Sequence, residues 1–139
     1  MTGVAGRRRA VLDTSTVILL PRLPAEVLPV EPVITAVTLA ELSVGPLVAA
    51  TDKERAARQA HLQQAETDFD PLPFDRHAAR AFGQVAASLR RTGRKATARA
   101  YDAMIAATAI ANDLPVYTSN PSDFEGIDDL EVVVVRVPE

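Results

Sequence analysis

The chain has 139 residues, is 47% hydrophobic and 24% charged, and carries a formal net charge of −3. No cysteine and only two histidines are present, which excludes disulfides, thiolate zinc sites, iron–sulfur clusters and cysteine nucleophiles; any metal must be held mainly by oxygen. The length suits one domain able to bury about two thirds of its surface, and the mild acidity argues against a simple basic nucleic-acid binder.

Residues 1–9 are expected to form a flexible tail and 10–137 a single domain. Arg7, Arg8 and Arg9 followed by an apolar run have the outline of a signal peptide. Asp13, Thr14, Ser15 and Thr16 interrupt that run, and Pro21 ends it after eleven residues. Residues 33–50 are apolar but contain Glu41 and Gly45-Pro46, so no membrane span is expected and the cytoplasm is the expected compartment.

Residues 10–12 read as a short buried strand, and 14–20 as the start of a helix. Pro21, Pro24, Pro29 and Pro32 then impose a loop. A second strand is expected at 33–34. Thr35 is placed to cap a helix running to about Val44, which Gly45-Pro46 ends. Residues 52–66 read as an exposed helix and 69–72 as a weak strand. In 75–91, Ala78, Phe82, Val85 and Leu89 recur at helical spacing, and Gly93 closes the helix. A further helix opens at Thr97 or Ala98 and runs to about Asn112. A strand at 115–117, a turn or single helical turn at 120–124, and the four valines 132–135 as a strand buried on both faces complete the chain. Short apolar strands alternating with helices predict an α/β fold with a parallel sheet.

Three carboxylates stand alone in otherwise apolar segments: Asp13, Glu41 and Asp102. In a parallel sheet, the end of the first strand, the early turns of the second helix and the first turns of the helix before the fourth strand meet at one edge. That carboxyl edge is where open α/β sheets bind ligands. Thr118, Asn120 and Asp123 follow a strand ending at the same place. Two carboxylates about 5 Å apart repel by roughly 3 kcal/mol at an effective dielectric of 20. Three such pairs sum to about 10 kcal/mol, comparable with the whole stability of a domain, about 5–15 kcal/mol. Protons or a cation must relieve the cluster, and an all-oxygen set suits Mg²⁺ or Mn²⁺. Singly, each acid also has a plainer reading: Asp13 as a helix cap, Glu41 paired with an arginine, Asp102 stabilising its own helix terminus, Asp123 capping a turn.

Val11-Leu12-Asp13-Thr14-Ser15, Ile34 through Leu42 around Glu41, Tyr101-Asp102-Ala103-Met104-Ile105-Ala106-Ala107, and Val116 through Phe124 together resemble the PIN-domain nucleases, and within them the VapC toxins of toxin–antitoxin pairs. The resemblance spans residues 11–124. It implies a parallel five-stranded sheet flanked by helices and a Mg²⁺- or Mn²⁺-dependent endoribonuclease. Asp13, Glu41 and Asp102 match the family's three acids, and metal ligation by all three is implied. Asn120 stands where many relatives have Asp, and Asp123 follows, so the fourth catalytic position is Asn120 or Asp123. Thr14 and Thr118 are expected in support. The resemblance also implies a VapB-like antitoxin, a homodimer, and a heterotetramer or larger assembly with the antitoxin. The substrate would be an RNA such as tRNA or rRNA. Apolar surface in 17–23 and 39–48 is expected to receive an antitoxin helix.

From Arg76 to Tyr101 there are seven basic residues and no acid. Arg90, Arg91, Arg94, Lys95 and Arg99 are the expected RNA contacts, with a solvated, salt-bridged face as the alternative. The run 92–97 lacks phosphate-loop spacing. His61 and His77 are expected on exposed helix faces, and Phe69, Phe74, Phe82 and Phe124 in the core. Competing functions are a PIN nuclease of RNA maturation or DNA cleavage, and a catalytically silent module binding RNA or a partner. A receiver domain is disfavoured, because neither Lys53 nor Lys95 follows a late strand.

Overall fold

The computed structural model describes residues 8–95 and 99–138. Its elements are β1 (Arg9–Leu12), α1 (Thr14–Leu19), β2 (Glu31–Val33), α2 (Ala36–Val44), α3 (Asp52–Asp68), α4 (Arg76–Arg91), α5 (Ala100–Ala111), β3 (Val116–Thr118) and β4 (Val132–Val134). Single 3₁₀ turns occupy Leu20–Arg22, Ala25–Val27, Gly45–Val48 and Pro121–Phe124. The strands form one parallel sheet in the order β2-β1-β3-β4.

The expected fifth strand at 69–72 is reduced to one bridge. Leu72 donates its N–H to the Ile34 carbonyl at 2.9 Å and accepts from Ala36 N–H at 2.8 Å. Pro71 and Pro73 flank it, and neither has an N–H to extend the ladder. β2 starts two residues before the expected strand, and Pro32 is tolerated because β2 is an edge strand of the sheet. β4 is the other edge: Val135 is buried, but Val134 is 44% exposed, so the valine run is not covered on both faces as expected. β1 begins at Arg9, inside the expected tail; residues 1–7, Arg7 among them, lie outside the described residues, as do Thr97 and Ala98.

Alternation along the strands divides the core in two. Val11 and Val116 face α4 and α5, packing with Val85, Leu89, Ile105 and Phe124. Ala10, Leu12 and Tyr117 face the opposite way, with Val17 of α1, Leu42 of α2 and Ala65 of α3. Helices therefore cover both faces. Ala103, Ala106, Ala107 and Ala109 are all buried, and α5 packs most extensively against α4. Thr35, Thr51 and Asp75 cap α2, α3 and α4 through their side-chain oxygens. Gly93, at φ +80°, follows α4, and Arg94 N–H returns to the Leu89 carbonyl at 2.8 Å. Phe74 departs from expectation: it is 37% exposed and meets Phe82 edge-on. No helix among the described residues is long and apolar enough to cross a membrane.

Candidate active site

The chain moves from β1 to the edge strand β2, then crosses back to β3 on the other side of β1. The switch point is the crevice beyond the carboxyl ends of β1 and β3. Asp13 leaves β1 there, its N–H bonded to the Tyr117 carbonyl of β3 at 3.2 Å.

Asp13 is 3% exposed and is also the N-cap of α1, so its plainer reading and its place at the site coexist. Its Oδ1 accepts from Thr16 N–H at 3.1 Å and from the Thr16 hydroxyl at 2.6 Å. The Ser15 hydroxyl reaches both oxygens, at 3.1 and 3.2 Å, and Thr118 donates to Oδ2 at 2.6 Å. Hydrogen bonding of this density is what keeps a buried carboxylate tolerable. Ser15 and Ser119 pair at 3.0 Å and join the β1 and β3 ends.

Glu41 projects from α2, half-buried, and accepts the Thr14 hydroxyl at 2.7 Å; Thr14 also meets Thr38 Oγ1 at 3.0 Å. Burial pushes the Glu41 carboxyl above its ordinary value. The Thr14 hydrogen bond opposes that rise and the charge of Asp13 adds to it. Asp102, in the first turn of α5, is pushed up to about 6. Burial is the largest cause, followed by the charges of Asp123, Glu41 and Asp13, with Arg99 pulling the other way. The four acids thus act on one another at one edge, as the sequence pattern predicts.

Between the two candidates for the fourth position, Asp123 is the one beside Asp102. Asn120 is exposed, its side chain caps nothing, and its backbone N–H donates to Thr118 Oγ1 at 2.9 Å. Asp123 accepts from Arg99 Nη1 at 2.5 Å. As the side chains stand, no three Asp, Glu or His residues among the described ones form a group that could hold a metal ion. The donor set nevertheless fits a hard divalent cation, being all oxygen and holding four acids against the single arginine that pairs with one of them.

The basic stretch proves divided. Arg91 pairs with Asp128 at 2.5 Å, Arg94 with Glu125 at 2.7 Å, and Arg99 with Asp123, matching the salt-bridged alternative for these three. Arg90 and Lys95 are exposed. The expected apolar surface is present: Ile18, Val44, Leu47 and Val48 are exposed, Leu47 by 85%. A cleft of about 510 Å³ runs from Thr14 and Glu41 past Ile18 and Leu42 to Arg58 and His61. His61 is half-buried on this cleft, not on an exposed face as expected, whereas His77 is exposed. Ser15, Thr16, Thr38 and Ser119 are site neighbours that the sequence pattern did not assign. The hydroxyl runs Thr14-Ser15-Thr16 and Thr118-Ser119 beside an apolar strand end were the available signal.

An acidic crevice at the switch point of a doubly covered parallel sheet defines a class of α/β proteins with a charged site at the strand ends. The PIN domain model matches residues 10–130, and the chain belongs to that family. It is 40% identical to Ribonuclease VapC5 of Mycobacterium tuberculosis over 131 residues, 91% of this chain and 94% of the relative. It is 32% identical to Ribonuclease VapC4 of the same organism, across 92% of this chain and 98% of the relative. The fold superposes with a TM-score of 0.80 on the crystal structure of a VapBC toxin–antitoxin family member, VapBC-5 from Mycobacterium tuberculosis. That match is 38% identical and covers 92% of this chain and 99% of the other.

Proposed function

We propose that this chain is the toxin of a toxin–antitoxin pair, an endoribonuclease that hydrolyses RNA phosphodiester bonds with Mg²⁺ or Mn²⁺. The observation that carries this is the convergence of Asp13, Glu41, Asp102 and Asp123, with Asp102 pushed up to about 6 partly by the charge of the other three. Kinship with chains named VapC ribonucleases supports RNA as the substrate class.

Asp13, Glu41 and Asp102 would hold the cation, with Asp123 as the fourth catalytic acid. A bound cation supplies Lewis acidity toward a phosphate oxygen and lowers the pKa of water. Asp13 is the fixed member, because Ser15, Thr16 and Thr118 leave it no rotational freedom. Thr14 orients Glu41 toward the crevice. Glu41 and Asp102, at the same crevice edge, are suited to orient a water toward the phosphodiester. No side chain is needed as a covalent nucleophile. Arg90 and Lys95 are the exposed cations of the basic stretch that would meet the RNA backbone, while Arg91 and Arg94 brace the loop after β3.

The partner is a VapB-like antitoxin whose helix would lie in the cleft along Ile18, Leu42 and Arg58, beside Glu41. The assembly would be a toxin homodimer joined by antitoxins into a heterotetramer or larger, acting on tRNA or rRNA in the cytoplasm. The test is induced expression with and without the adjacent small gene, alongside cleavage of total RNA by the purified chain. Growth arrest relieved by the neighbour, and Mg²⁺-dependent cleavage lost in Asp102→Asn, are the expected results. Wild-type cleavage by Asp102→Asn would overturn the assignment.

A further inference from the structure

The end of α4, Arg94 just after it and Arg99 at the start of α5 are fastened to the loop after β3 by three ion pairs arranged from solvent toward the crevice. Outermost, Arg91 meets Asp128; next, Arg94 meets Glu125 and donates to the Ser122 carbonyl at 3.0 Å. A close approach adds to these. Gly126 has φ +83°, and a Cβ there would fall 2.9 Å from Thr92 Oγ1. The loop is thus held by contacts that do not involve Arg99.

The innermost pair differs from the outer two. The Arg99 and Asp123 side chains are only 37% and 30% exposed. Asp123 belongs to the acid group of Asp13, Glu41 and Asp102, whereas Asp128 and Glu125 do not. Arg99 commits one N–H, on Nη1, to Asp123. A guanidinium carries five, in a fork that suits phosphate oxygens. It is therefore a cation already seated among acids, next to the place where RNA would arrive. A divalent ion drawn to the same acids must compete with it for Asp123 and is repelled by its charge.

We propose that Arg99 is a stand-in cation: while no divalent ion is bound it holds Asp123 with one N–H and offers its remaining donors to the phosphodiester backbone of the substrate, and when a divalent ion enters it yields Asp123 and turns its whole guanidinium to that backbone. This rests on the metal-dependent function proposed above. It makes Arg99 a positioning residue for Asp123 and a phosphate contact, not merely part of a basic surface.

The test uses the full chain, with Mn²⁺ affinity measured by calorimetry and RNA affinity by anisotropy of a labelled single-stranded RNA of mixed sequence in EDTA. Arg99→Gln is expected to bind Mn²⁺ roughly 3- to 10-fold more tightly and RNA roughly 3- to 10-fold more weakly. Arg99→Lys keeps the charge and should stay within about twofold of wild type for Mn²⁺ while recovering part of the RNA affinity. Arg91→Gln removes the same charge at the outer pair and should shift Mn²⁺ affinity by less than about twofold. Asp123→Asn frees Arg99 and should tighten RNA binding in EDTA. A merely structural Arg99 would weaken both affinities or neither, and either result overturns the proposal, as would equal effects of Arg91→Gln and Arg99→Gln. Should Arg99→Gln fail to fold, Asp123→Asn decides: unchanged or weaker RNA binding in EDTA overturns the proposal. If neither wild type nor Arg99→Gln binds Mn²⁺, the metal-dependent function falls and this inference with it. Wild-type binding that Arg99→Gln leaves unaltered overturns this inference alone.

Discussion

The two ends of the acidic crevice are built on opposite principles. At the β1 end, Asp13 is 3% exposed and is surrounded by donors from Ser15, Thr16 and Thr118. At the far end, Asp123 lies partly open to water and is matched by one guanidinium. The difference follows from burial. A carboxylate cut off from water survives ionised only when hydrogen bonds replace its hydration, and those bonds also fix its position. A half-exposed acid is left adjustable, with repulsion from its neighbours to be relieved by whichever cation is at hand. Glu41 and Asp102 lie between these extremes, and both are shifted toward the protonated form.

The largest effect is expected at the fixed end. Asp13→Asn retains the shape and a good N-cap residue but removes a charge, and should lower RNA cleavage by roughly 10²- to 10³-fold in a chain that still folds, at a cost of about 1–3 kcal/mol because the amide NH2 meets a hydroxyl that donates to the carboxylate. Cleavage rates and thermal melting of the same preparation test both halves of that statement. Thr118→Val comes next. It deprives Asp13 Oδ2 of the nearer of its two donors in a buried setting, and the Asn120 N–H of its acceptor in a partly buried one. The expected cost is about 1–3 kcal/mol, read from urea denaturation. An unchanged midpoint would mean that the hydroxyls do not hold Asp13 in place and that the two ends of the crevice are alike in this respect.

The middle of the crevice should respond to pH. Asp102 rises from 3.8 to about 6, so the folded chain holds a proton there that the unfolded chain releases. Its contribution to stability is therefore present at low pH and lost as pH rises from about 4 through about 6. Asp102→Asn mimics the protonated form. Its stability relative to wild type should rise between about pH 4 and pH 7, a difference in which the titrating groups remote from Asp102 cancel. Mn²⁺ competes with the same proton, so the Mn²⁺-induced rise in melting temperature of the wild type should be small near pH 5 and larger near pH 7.5.

Much of this crevice was legible in the sequence, because charge inside an apolar segment is a strong local signal. Asp13, Glu41 and Asp102 each interrupt a run of core residues, and topology alone then takes their elements to one edge. The caps at Thr35 and the glycine after α4 were legible for the same local reason. What depended on long-range contacts was not. Pro71 and Pro73 argued locally against a full strand at 69–72, but which residue would still pair, Leu72 with Thr35, depended on a contact far away in the chain. The four valines 132–135 likewise do not announce that their strand ends the sheet. The basic stretch read as one surface because its partners, Asp123, Glu125 and Asp128, lie more than twenty residues away in the chain. His61 looked like an ordinary member of an exposed helix until the cleft beside Glu41 gave it a wall to line.

The smallest effect is expected at the outermost ion pair. Arg91 and Asp128 are 63% and 66% exposed, so water and salt screen their attraction, and both side chains lose rotamer freedom by pairing. Arg91 also touches the buried Ser88 hydroxyl at 3.3 Å, but that oxygen is bonded to the Gln84 carbonyl and Asp128 N–H as well, so it is not orphaned when Arg91 is changed. Arg91→Gln should therefore cost less than about 0.5 kcal/mol in urea denaturation, and less still at high salt. A loss above about 1 kcal/mol that persists in high salt would mean that the loop carrying Asp123 is held from outside by its exposed pairs, and that the adjustability of that end stops at Arg99 and does not extend along the seam.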